Sequence, residues 1–367
     1  MKTPAQGRGG VFRSYVKSRR RLHPLELFTN LVCSVETASH ACQIGAIRCR
    51  TQPRSWVKER KMPTTLQYRP TLIDQLISNE RINSYQNVFQ PANDTELVGV
   101  YLWNAHVSGA IYPIIGAAEI TLRNAIDREL RAHLGNFWWS GAKLRYRSFV
   151  RGTPPPHPVQ AVRDNFAKAT RKFAAEQRSR YGITGHVTPN HHGVMAKTEF
   201  STWGFMLDHE FMGNGLIWPS RLGTVFAGSW PSSHAAVMLT HVHDLVSTVR
   251  DFRNRLFHHE PAWKRFGVLT ESDALTHLLE KIGKIESLMA LIHPENLRLL
   301  ERNGLLATAR RACTAHEIRR FQHLTQTYKV SSLGKLQMLV DRCGSDDSVI
   351  AARIYLGRQR RFLLTPG

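Results

Sequence analysis

Cysteine is scarce in this chain, and what there is cannot cross-link it. The five cysteines (Cys33, Cys42, Cys49, Cys313, Cys343) are odd in number, show no CxxC spacing and divide between the two ends. That pattern argues against a disulfide framework or a thiolate zinc site, and a reducing cytoplasm is the expected setting. No apolar run approaches the roughly eighteen residues of a membrane span. The N-terminus lacks an apolar signal core followed by a cleavage site, so neither secretion nor membrane insertion is expected. No GxxxxGK[ST] or GxGxxG follows a strand-like run, which leaves a P-loop or Rossmann site unsupported. His191 and His192 fall in an expected loop with no acidic ligand nearby, and His241 and His243 face opposite ways on an expected helix. No metal site is supported and no cofactor is expected. Internal repeats and long alternating strand patterns are missing too, and an all-α fold is favoured.

Acidic residues are few: 28 Asp and Glu stand against 50 Lys and Arg in 367 residues, a formal net charge of +22. Such a balance attracts polyanions (RNA, DNA or an anionic membrane surface) without choosing among them. An apolar fraction of 42% is enough to build a core. The charge is unevenly spread. Residues 1–61 hold thirteen Lys or Arg against Glu26, Glu36 and Glu59, a balance of +10, and show no helical or strand period. This leader is expected to be disordered. It reads as a nucleic-acid-binding arm, a transit-like peptide or, preferably, sequence upstream of a true start at Met62.

From Met62 the pattern is helical. A helix is expected around Thr71 to Asn79, then a polar connector ending at Pro91, with Asn93 or Asp94 capping the next helix. Leu97, Tyr101, Ile111, Ile114, Ile115, Ala118, Leu122, Ile126 and Leu130 recur mostly at spacings of three and four. Pro113 is predicted to split this stretch into two helices, with Gly135 closing the second. A basic helix is predicted from about Val159 to Arg180, and the segment holding Phe200, Trp203, Phe205, Met206, Leu207 and Trp218 reads as core in preference to a subunit contact surface. Ser233 to Phe257 is again helical, stopped by Pro261. Two or three helices are expected between Ser272 and Cys313. The expected plan is a basic leader (1–61), a helical domain (62–300) and basic accessory helices (301–367).

The most informative stretch is RNRLFHHEP, residues 253–261, which sits at that predicted helix end. Arg253 is permanently cationic and forks onto phosphate oxygens, while His258 or His259 exchanges a proton near neutral pH. Bland roles stand beside this one. Either histidine could be buried and bonded to a carbonyl, Glu260 could orient its neighbour, Arg253 could pair with Asp251 or Glu260, and Asn254 could cap the helix. Glu119 and Arg123 stand four apart, the spacing of an intrahelical ion pair, and Arg123–Asn124 repeats the Arg–Asn pair of the signature.

RNRLFHHEPAW, together with YLWNAHVSGAIYPIIGAAEITLRNAIDREL running into Phe137, Trp138 and Trp139, and with TEFSTWGFMLDHEF, resembles the abortive-infection (Abi-like) branch of the HEPN superfamily. The resemblance covers roughly residues 70 to 300, with the blocks in family order. It implies a HEPN-like helical bundle that forms a homodimer, and an RNA-cleaving toxin active in phage defence without a metal. A cognate antitoxin is among the partners it admits. It maps the family motif onto Arg253, Asn254 and His258, with His259 as the alternative. The helix of Glu119, Arg123 and Asn124, and Glu260, would then be supporting residues. The runner-up is a non-catalytic module that binds RNA or a nucleotide. Attack by a 2′-hydroxyl needs a base, an acid and positive charge on the phosphorane, more than one Arg and one His supply. Two copies meeting about a two-fold axis would provide two of each. On an ideal helix Asn254 and His258 lie about 40° apart but Arg253 and His258 about 140°, so bending or fraying near Pro261 is expected to help bring that pair onto one phosphate.

Overall fold

The computed structural model describes residues 77–141 and 143–366. The leader, Met62, Cys33, Cys42, Cys49 and most of the helix expected from Thr71 lie outside them. Among the described residues twelve α-helices precede or surround one small sheet.

The first, α1 (Asn79–Phe89), occupies the stretch expected to be a polar connector. Ile82, Tyr85 and Phe89 explain the difference: they fall three and four apart and are all buried, so a few apolar residues on one face carry a helix that looks polar in composition.

The next helix organises the rest. α2 (Asp94–Leu134) starts at Asn93, whose Oδ1 accepts the Glu96 N–H at 3.0 Å, while Glu96 Oε2 reaches back to the Ala92 N–H at 2.9 Å. It ends at Gly135, where φ is +74°, a conformation that costs glycine little. The predicted break at Pro113 does not occur: α2 is one helix of 41 residues. Pro113 faces solvent, so the one backbone bond it forgoes leaves a carbonyl that water can reach, whereas Ile111, Ile114 and Ile115 around it are fully buried. Burial of a large aliphatic side chain is worth about 1.5–3 kcal/mol, so the flanking packing outweighs the proline. The buried face continues through Val100, Trp103, Val107, Ala118 and Leu122.

α3 (His157–Tyr181) covers the predicted basic helix. Short elements come after it: α4 (His191–Met195), α5 (Ser201–Met206), a 3-10 turn at His209–Phe211 and α6 (Leu222–Val225). Phe200, Trp203, Met206, Leu207 and Trp218 are buried there as core. Next come α7 (Ala235–Phe257), α8 (Glu271–Ile292), α9 (Pro294–Arg302), α10 (Leu305–Ala312) and α11 (Ala315–Phe321). α2 packs against α1, α6, α7, α8, α10 and α11. It approaches α11 so closely that a Cβ on Gly99 would stand 2.4 Å from the Phe321 carbonyl oxygen.

The chain does not remain helical to its end, and the expectation of purely helical accessory elements is corrected. β1 (Thr327–Val330) runs parallel to β2 (Ile350–Leu356), which pairs antiparallel with β3 (Arg358–Leu364), and α12 (Leu333–Ser345) connects β1 to β2. Val330, Leu339, Cys343, Ile350 and Ala352 form a second, small core there. Gly357, at φ +68°, allows the tight turn between β2 and β3.

Candidate functional site

The signature lies at the C-terminus of α7, and that terminus has a definite geometry. His258 is the cap residue and its N–H donates to the Asn254 carbonyl at 3.0 Å. His259 then adopts a left-handed conformation, φ +53°, with its N–H on the Leu256 carbonyl, while the Glu260 N–H returns to the Arg255 carbonyl, both at 3.1 Å. These two bonds define a Schellman motif, with histidine where glycine is usual and Pro261 just beyond. The chain leaves the helix only after His258, so the helical offset between Arg253 and His258 is kept, and both imidazoles are exposed.

The returning chain is pinned on its far side. Asn104 of α2 is buried and its Oδ1 accepts the Ala262 N–H at 2.8 Å. Trp263 is buried against Tyr85 and Phe89, with ring centroids 5.2 and 5.0 Å away. Lys264 Nζ donates to Ser84 Oγ at 2.8 Å, and the Arg255 guanidinium donates to the Lys264 carbonyl. Glu260 lies 3.7 Å from Arg255 Nε. Sequence reasoning missed Asn104, although an amide on the apolar stripe between Val100 and Val107 signals that some buried donor or acceptor needs it.

Arg253 pairs with neither Asp251 nor Glu260. Its Nε stands 3.6 Å from Glu119 Oε2 on α2, its Nη1 lies 3.4 Å from Asn254 Oδ1, and its guanidinium carbon sits 3.9 Å from the centre of the Phe257 ring. Asp251 pairs with Arg250 instead. Burial pushes the Glu119 carboxyl above its ordinary range, against the pull of Arg253 first and Arg123 second. Arg123 Nε in turn donates to Asn124 Oδ1 at 3.3 Å, the same arginine-to-asparagine contact as in the signature.

Phe257 joins this cluster to a cleft of about 540 Å³ whose walls include Asn104, Ser108, Tyr112, Leu256, Phe257 and His259. The Phe257 and Tyr112 ring centroids are 5.1 Å apart. Thus Arg253, Asn254, Glu119 and Phe257 are brought together, and His259 rather than His258 lines the cleft. Asn124 opens on a different cavity, of about 270 Å³, beside Arg128, His293 and Asn296.

No family model, curated protein or solved structure matches this chain. The assignment of the site therefore rests on its own geometry and chemistry.

The expected loop histidines are another correction. His191 begins α4 and is buried: its Nδ1 accepts the Phe137 N–H at 2.9 Å, so its Nε2 carries the proton and donates to Asp127 Oδ1 at 2.8 Å. Trp138 Nε1 donates to the same oxygen at 2.9 Å. An acidic partner is present, supplied by α2, and the network ties α4 to that helix. Among the described residues no three His, Cys, Asp or Glu side chains gather as a metal-binding group.

Proposed function

We propose that this protein is a metal-independent endoribonuclease of the abortive-infection, HEPN-like kind, acting as a toxin in phage defence. Arg253 neutralises the phosphate under attack, and His258 takes the 2′-hydroxyl proton or protonates the leaving 5′-oxygen, giving a 2′,3′-cyclic phosphate and a 5′-hydroxyl. One observation carries the reading. Arg253 is oriented by Glu119, Asn254 and Phe257 at a helix end whose neighbouring His258 presents an exposed imidazole.

A second copy would complete the acid–base pair. Support for a homodimer comes from α2, which carries no Asp, Glu, Lys or Arg between Glu96 and Glu119 and exposes Leu102 and Tyr112, the latter against exposed Phe257. An uncharged exposed face of this kind is suited to self-association.

The test is cleavage of single-stranded RNA in EDTA by the wild type, Arg253→Ala and His258→Ala. A loss of about a hundredfold or more in each variant is expected, and unchanged cleavage would sink the site assignment. The alternative, an RNA-binding module without catalysis, is favoured by the Glu119 contact, which already answers the charge of Arg253. Salt-sensitive binding with no turnover is its signature.

A further inference from the structure

A second cluster of cations lies away from the α7 terminus. Two adjoining cavities, of about 310 and 510 Å³, share Arg145, Gly215 and Leu216. The first also has Lys143 and Arg221 in its wall, and the second has Tyr146, Phe149 and Arg163. Among the described residues no carboxylate lines either one. Some surface cations elsewhere do find acids: Lys168 and Lys172 meet Glu199, Arg265 meets Glu280 and Arg319 meets Glu271. Among the described residues the four groove cations do not. Lys143 donates to the Asn136 carbonyl, Arg221 to the Leu216 carbonyl and Ser220 Oγ, and Arg163 rests over the Tyr146 ring at 5.7 Å. The Nε groups of Arg163 and Arg221 are buried with no acceptor among the described residues.

Gathering like charges and leaving guanidinium N–H groups unsatisfied costs free energy that an anion in the groove would recover. The anion's nature is narrowed by the aromatics. Phe149 is 64% exposed and makes a T-shaped contact with Tyr146, with centroids 5.6 Å apart, so an aromatic ring lies largely exposed beside the cations. Phosphates spaced along a strand with an unpaired base between them satisfy both features. A duplex, whose bases are stacked on one another, satisfies the first alone.

We propose that this groove binds single-stranded RNA, with phosphates on Arg145, Arg163, Arg221 and Lys143 and a base stacked on Phe149. As a groove for the substrate strand it rests on the endoribonuclease reading; as an RNA-binding groove it does not use Arg253 or His258. Binding is therefore measured on full-length His258→Ala protein, so that the result is independent of turnover.

The measurement is anisotropy of a fluorescein-labelled oligouridine, and of a duplex RNA of equal length, across a salt series. Phe149→Ala weakens the single strand about tenfold, leaves the duplex unaffected and keeps the salt slope. Arg145→Gln lowers the slope by about one, the share of one phosphate contact. Arg178→Gln, an exposed cation of α3 outside the groove, behaves as the parent. Loss of affinity to the same extent in Arg145→Gln and Arg178→Gln would overturn the groove as a distinct site. Equal effects of Phe149→Ala on both RNAs, or none on either, would overturn the single-strand assignment.

Discussion

Glu119 Oε2 stands 3.6 Å from Arg253 Nε, joining the middle of α2 to the last turn of α7. Both side chains are partly buried, so removing one leaves the other uncompensated. Arg253→Ala is therefore expected to destabilise the fold more than the double variant Arg253→Ala with Glu119→Gln. The coupling is on the order of 1 kcal/mol in a double-mutant cycle read by urea unfolding. Arg253→Lys should not rescue cleavage, because an ammonium lacks the planar fork that faces Glu119 and a phosphate together. Additive stabilities would show that the pair is incidental.

The two histidines of the signature are predicted to behave oppositely. His259 holds φ at +53°, where a β-carbon is strained and glycine is not, so His259→Gly should raise stability by roughly 1 kcal/mol in thermal or urea unfolding. If His258 is the acid–base residue, His259→Gly keeps cleavage while His258→Ala loses it. Retained cleavage in His258→Ala and lost cleavage in His259→Gly would move the role to the residue lining the cleft.

These relationships mark the limit of what the chain reveals unfolded. The end of α7 was legible because Pro261 forbids continuation and the apolar spacing stops at Leu256. The Schellman turn was not, since its left-handed position holds His259 and not glycine. Pro113 misled because a local breaking rule takes no account of the buried isoleucines on either side. The sheet was hidden for a different reason: β1 has four residues, and β3, RQRRFLL, reads as a solvated charge run until its pairing with β2 is known. Glu119 with Arg253, Asn104 with Ala262 and Asp127 with His191 are contacts between distant segments, and periodicity carries no information about them.

Acid should weaken this protein through His277. The imidazole is buried in α8 with Nδ1 lacking a partner among the described residues; burial first, then Lys281 and Arg265, lowers its pKa to about 4. The unfolded chain takes up that proton near its ordinary value of 6.5. Below that pH the unfolded state binds more protons, so stability is full above 6.5 and declines as pH falls toward about 4. Urea midpoints between those limits should show the decline, and His277→Gln, which cannot titrate, should flatten it. An identical pH profile in the variant would remove His277 from the account.

The closest approach of α2 to α11 gives the last test, one of packing independent of any chemistry at the site. A methyl group at Gly99 meets the Phe321 carbonyl oxygen at 2.4 Å and the Gln322 Cα at 2.8 Å, both backbone atoms that cannot swing aside. α11 is itself held: Glu317 is buried, and although burial pushes its carboxyl up, hydrogen bonds from His106 and Arg320 outweigh that and hold it at about 2. Gly99→Ala must therefore push α11 away from α2 although both are anchored, at an expected cost of about 1–3 kcal/mol. Gly283 in α8 is the control, since a Cβ there meets nothing within 4 Å. Gly283→Ala should gain about 0.5–1 kcal/mol from reduced freedom of the unfolded chain. Opposite shifts of the urea midpoint are the expected result, and a stabilised Gly99→Ala would mean that α11 does not pack on α2 at this distance.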